Sequence, residues 1–117
     1  MDEESWAMSS LRITCAGLSS DQITARLGMP STAHTDAYWA VNLVSDSSIA
    51  IDQQLTHVKD FFSCRLDDLQ AIAETAGINL HLGWTPRHPQ DGLALDADLV
   101  QLLASIKAYI LIDVYID

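Results

Sequence analysis

The chain has 117 residues, of which 49% are apolar and 19% charged, with five glycines, three prolines and a formal net charge of −10. This composition fits one globular domain, and it excludes a disordered tail, a collagen-like repeat and a two-domain enzyme. Six basic residues against sixteen acidic ones are too few for the basic patch of a direct nucleic-acid binder.

The start, Met1-Asp2-Glu3-Glu4-Ser5-Trp6, is acidic and leads into no apolar run, unlike a secretory signal. No segment reaches the roughly 20 apolar residues of a membrane span. A cytoplasmic chain is therefore expected, with Cys15 and Cys64 as two free, mostly buried thiols. Residues 1–10 lack periodicity and read as a flexible acidic leader, leaving 11–117 as a single domain.

Leu11 to Ala16 alternates apolar and polar residues, the period of a half-buried strand. Ser19 and Gln22 have the spacing of a capping box, Ile23 and Leu27 share a helical face, and Gly28 and Pro30 are stop signals. These predict a helix over Ser20 to Leu27. Pro30 to Ala37 reads as a polar loop, and the aromatic and β-branched run Tyr38 to Val44 as a strand. Ile51, Leu55, Val58, Phe62, Leu66, Leu69 and Ile72 form a helical stripe that Gly77 ends; Ser63-Cys64 leaves open one helix or two. Ile78 to Trp84 alternates again. Gly92 to Leu95 alternates weakly and is the expected hairpin partner of that strand, across a loop from Thr85 to Asp91. Asp96 caps a helix over Ala97 to Lys107, and Tyr109 to Ile116 forms the last strand.

The predicted order is β-α-β-α-β-β-α-β. It indicates an α+β fold with a single antiparallel or mixed sheet of four to five strands and helices packed on one face. Alternation turns Leu11, Ile13, Cys15, Ile78, Leu80, Leu82, Ile110, Ile112 and Val114 toward the helices. Leu80, Leu103 and Ile112 are the expected centre of the core. Arg12, Thr14, Asn79, His81, Tyr109, Asp113 and Tyr115, with Tyr38, turn outward.

The segment Leu11-Arg12-Ile13, then Gly17-Leu18-Ser19-Ser20-Asp21-Gln22-Ile23, then Leu27-Gly28-Met29-Pro30-Ser31, resembles the opening of a bacterial family known as domain of unknown function 4279. The likeness extends in outline through Tyr38-Trp39 and the helix–strand ending from Ala97. The Leu-Gly-x-Pro element here is one residue shorter, and the Ser31-to-Tyr38 connection lacks a basic stretch. The resemblance implies a small bacterial protein with no established activity, of a kind in which some members are thought to accompany toxins as immunity factors.

No motif of catalytic specificity occurs: there is no Gly-x-Ser-x-Gly elbow, phosphate loop or catalytic cysteine signature. His57 and Cys64 read as a partly buried histidine beside a core thiol, without the third and fourth ligands a metal needs. His34 and His88 fall in loops. Neither a cofactor nor a metal is expected, and the chain does not read as an enzyme. The outward sheet face is the informative constellation. Tyr109, Asp113, Tyr115, His81 and Asn79 replace the Thr, Lys and Glu of an ordinary solvated face, and tyrosine is enriched at binding surfaces. This face fits a protein partner, a homodimer seam or cover from the leader. The expected function is an acidic binding protein, most concretely an immunity-type inhibitor of a cognate toxin, with a nuclease toxin as one form. The alternative is a metabolite-binding regulatory domain acting as a dimer. No direct contact with nucleic acid or membrane is expected.

Overall fold

The computed structural model describes residues 6–15, 17–35, 37–86 and 92–116. Along the chain lie β1 (Trp6–Thr14), α1 (Ser20–Leu27), β2 (Ala33–His34), β3 (Tyr38–Asn42), α2 (Ile51–Cys64), α3 (Leu66–Ala73), β4 (Gly77–Thr85), α4 (Ala97–Ser105) and β5 (Tyr109–Val114). The strands form one mixed sheet in the order β2-β3-β1-β4-β5. Every pairing is antiparallel except that of β4 with β5, which α4 joins by a parallel crossover. The α+β class expected from the sequence is the class observed.

The first helix forms where its signals stand. Ser19 Oγ accepts from the Gln22 N–H at 3.1 Å, and the Gln22 side chain accepts from the Ser19 N–H at 2.8 Å. Gly28, at φ 71°, terminates the helix in the left-handed region. Ile23 and Leu27 are buried, and Thr24 Oγ1 accepts the indole N–H of the buried Trp39 at 3.0 Å. The long stripe divides into α2 and α3 at Arg65. Its guanidinium lies 4.4 Å over the Phe61 ring and donates from Nε to the Leu27 carbonyl at 3.3 Å, which anchors the break to the end of α1. Asp96 caps α4 by accepting from the Leu99 N–H.

Several expectations are corrected. β1 begins at Trp6, so residues 6–10 are half of a central strand and not a leader; residues 1–5 lie outside the described residues. Small inward residues, Ala7 and Ser9, hid the alternation there. Ala33–His34 pairs with β3 inside the expected loop, and β3 ends at Asn42. Gly92 to Leu95 forms no strand, so no hairpin follows β4. Its neighbour is instead β5, which ends at Val114. Residues 87–91, with His88, lie outside the described residues.

The core lies between the sheet and the helices, with Leu11, Ile13, Trp39, Phe62, Leu80, Leu82 and Leu103 all buried. Ile112 and Val114 point to the helical side as expected but are 39% and 48% exposed. The helices seat over the middle of the sheet, α2 on β1 and α1 on β3, while α4 leans on α2. β5 therefore projects past the helical layer. Cys15 is half-buried, whereas Cys64 and His57 are exposed on α2, so neither belongs to the core.

Truncating Leu80 or Leu103 to Ala should cost about 2–5 kcal/mol, and Ile112→Ala well under half of that, in urea melts. The left-handed positions give a second, opposite pair. Gly28→Ala should destabilise by roughly 1 kcal/mol. Lys107 follows α4 at φ 54°, with the Lys107 N–H donating to the Ala104 carbonyl and the Ala108 N–H to that of Leu103. Lys107→Gly should stabilise by up to about 1 kcal/mol, because a side chain there is strained.

Candidate functional site

The face of the sheet turned away from the helices is open, and register assigns its residues. One row runs across all five strands through Ala33, Ala40, Arg12, Asn79 and Tyr109. The next runs through Asn42, Ser10, His81 and Leu111. The third runs through Met8, Gly83 and Asp113. All five residues proposed from the sequence, Asn79, His81, Tyr109, Asp113 and Tyr115, stand on the β4–β5 half of the described structure.

They differ in exposure. Tyr109 is 74% exposed and Tyr115 49%, whereas Asn79 and Asp113 are half-buried. His81 faces outward in register but is buried, a correction to the exposed strand histidine expected. Its Nε2 lies 2.7 Å from Asp113 Oδ2, which ties β4 to the edge strand. His81 Nδ1 and its cross-strand neighbour Ser10 Oγ are both buried without a partner among the described residues.

Three further contributors come from positions the sequence left unassigned. Trp6 and Met8 lie over Gly83, where a Cβ would come within 2.7 Å of Met8 Cγ and 3.1 Å of Trp6 Cζ3. Glycine at position 83 thus admits this cover. Trp6 then meets Tyr115 edge-to-face, with ring centroids 5.4 Å apart. The supposed leader therefore supplies the cap at one end of the face. The signal was present as a two-residue period, Trp6, Met8, Ser10 and Arg12 outward, continuing backward from Leu11.

The exposed apolar surface is concentrated on β5 and just beyond it: Tyr109, Leu111, Ile112, Val114, Tyr115 and Ile116. β5 is also a free edge. The Tyr115 N–H bonds inward to the Trp84 carbonyl at 2.8 Å, so alternation turns the backbone groups of Ile110, Ile112 and Val114 outward. At the opposite edge β2 is only two residues long.

Burial pushes the Cys15 thiol above its ordinary value, and a protonated thiol is a poor nucleophile. No three His, Cys, Asp or Glu side chains among the described residues converge to hold a metal ion. No described helix is long and apolar enough to cross a membrane. No protein-family model, curated protein or solved structure matches this chain.

Asp113→Ala would leave the buried His81 with both ring nitrogens unpaired. It should lower stability by about 1–3 kcal/mol, whereas Tyr109→Ala on the same strand should change it by no more than about 0.5 kcal/mol. Paired urea melts measure the difference.

Proposed function

We propose that the protein is a small binding protein that takes an extended segment of a basic protein partner against β5, in the manner of an immunity-type inhibitor of a cognate toxin. The observation that carries this reading is the unprotected edge. Exposed edge strands are normally blunted by lysine, proline, a bulge or shortness. β2 is short, but β5 reads Tyr-Ile-Leu-Ile-Asp-Val, with no lysine or proline and with its one acid held by His81. Such an edge offers a partner strand main-chain hydrogen bonds, together with apolar contacts on both faces.

The net charge of −10 selects the partner's chemistry. A basic partner is steered toward such a surface. The resemblance to domain of unknown function 4279 supports a toxin as that partner, and a bacterial cytoplasm as the place where it is met. A nuclease, whose substrate cleft is basic, fits best.

A second copy is the competing occupant, and one observation favours it. Tyr109 and Tyr115 are equidistant from Ile112, as are Ile110 and Val114, so two antiparallel β5 strands match about a two-fold axis at Ile112. Against it, self-association brings together two bodies of charge −10.

The test is binding to the product of an adjacent toxin gene, followed by stopped flow across a salt series. The association rate should fall steeply as salt rises, since exposed charges are screened over about 10 Å at 0.1 M. Ile112→Lys should weaken binding by about 100-fold or more, mainly through faster dissociation. A salt-independent association rate together with normal binding by Ile112→Lys would overturn the reading. A wild-type dimer that Ile112→Lys converts to monomer, seen by light scattering without toxin binding, would select the second copy.

A further inference from the structure

The register of β5 fixes what an incoming strand must carry. A strand added to this edge bonds to the backbone groups of Ile110, Ile112 and Val114, because those of the intervening residues turn toward β4. Antiparallel addition is the more stable pairing per residue. It makes Ile110, Ile112 and Val114 hydrogen-bonded positions, and Leu111 and Asp113 non-hydrogen-bonded ones. Side chains stand closest at the latter, with Cα atoms about 4.5 Å apart. The residue that arrives opposite Asp113 therefore meets its side chain directly, on the open face of the sheet.

Asp113 is the one acid of β5. Its contact with His81, 2.7 Å from Oδ2 to Nε2, fixes the direction of the side chain, yet 45% of that side chain stays exposed. Opposite charges across strands stabilise a pair, and like charges directly opposite destabilise it. The position opposite Asp113 thus selects a cation and rejects an acid.

The neighbours select arginine. Leu111 and Tyr115 stand diagonal to that position, within reach of a long side chain. Leu111 is exposed and offers apolar surface to the stem of an arginine. Tyr115 is exposed as well, with its ring set edge-to-face against Trp6, so an aromatic surface stands one step along the strand from the carboxylate. A planar guanidinium stacks on such a ring and still bonds a carboxylate, for which a lysine ammonium is less suited. On the helical side Ile112 and Val114 are partly bare, and they fit apolar, β-branched residues before and after the arginine.

We propose that β5 takes an antiparallel segment with an arginine opposite Asp113, set between two apolar β-branched residues seated on Ile112 and Val114. The proposal rests on β5 as the strand acceptor and names the residue that this acceptor reads.

The probes are four synthetic peptides, titrated at fixed ionic strength into the 15N-labelled full chain. The first is acetyl-Ser-Thr-Val-Arg-Val-Thr-Ser-amide. The second, acetyl-Ser-Thr-Arg-Val-Val-Thr-Ser-amide, keeps composition and charge but turns the arginine to the other face. The third and fourth carry Leu and Glu in place of the arginine of the first. Saturable shifts are expected at the amides of Ile110, Ile112 and Val114. The first peptide should bind at least about fivefold tighter than the second and third, and about twentyfold tighter than the fourth. Asp113→Asn keeps an acceptor for His81 and removes the charge. It should bring the first three peptides within about twofold of one another while the shifts at the three amides persist. Equal affinity for the first and second peptides, or an arginine preference that survives in Asp113→Asn, would overturn the proposal and leave β5 standing as a strand acceptor. No shift at those amides with any peptide would overturn both. A dimer, seen by light scattering, that no peptide opens would give the edge to a second copy and overturn the proposal too.

Discussion

The open face depends on a side chain buried on the opposite side of the sheet. Gln54 of α2 is wholly buried, and its Nε2 donates to the carbonyls of Ala7 at 2.9 Å and Ile49 at 3.0 Å. Its Oε1 accepts from Ser9 Oγ at 3.0 Å. β3 stops at Asn42, so the first half of β1 would otherwise face the core with unpaired backbone groups. The following segment covers part of that gap, with the Leu43 N–H bonding Ser9 and the Ser47 carbonyl accepting from Ala7. Gln54 takes the Ala7 carbonyl and the Ser9 hydroxyl and fixes α2 over this stretch. Unpaired, these groups would each carry a desolvation penalty; paired, they hold Trp6 to Ser10 in the sheet. Trp6, Met8 and Ser10 reach the open face only because this half of the strand is retained.

The two edges then follow from where the helices can sit. With α2 held over β1 and α1 over β3, the helical layer is centred on the middle of the sheet. A parallel strand normally lies covered on both faces. Here α4 delivers β5 in parallel to β4 but turns toward α2, and Ile112 and Val114 are left partly bare. Beside them Asp113, the one acid of β5, is paired with His81 of β4.

Local chemistry made α1 legible to the residue: the Ser19–Gln22 box, Ile23 and Leu27 on one face, and Gly28 at φ 71° all act within a few residues of one another. The strand identity of Tyr38-Trp39 and the outward set on β4 and β5 were legible for the same reason, because alternation is a local property. What could not be read depends on tertiary partners. The break at Arg65 needs the Leu27 carbonyl from another helix. The start of β1 was hidden because Ala7 and Ser9 are small, and their burial makes sense only beside Gln54. Ile112 has the pattern of a core residue and lacks only the helix that would cover it. His81 reads as a surface histidine until Asp113 is placed beside it.

The distribution of cations bears on what the face is for. Lys59 pairs with Asp96 at 3.0 Å, and that pairing raises the pKa of Lys59. Arg65 stacks on Phe61 and binds the Leu27 carbonyl. Arg26 sits in the last turn of α1, where a positive charge meets the negative end of the helix dipole, and Lys107 follows α4 in the same electrostatic sense. Each of these has a structural role that its own surroundings explain. Arg12 stands on a central strand between Ala40 and Asn79, with no acid opposite it on either neighbour. The open face is thereby divided: a polar recess with a lone cation over β1 and β3, and an apolar edge at β5. The row from Ser10 through His81 to Leu111 joins the two across the sheet.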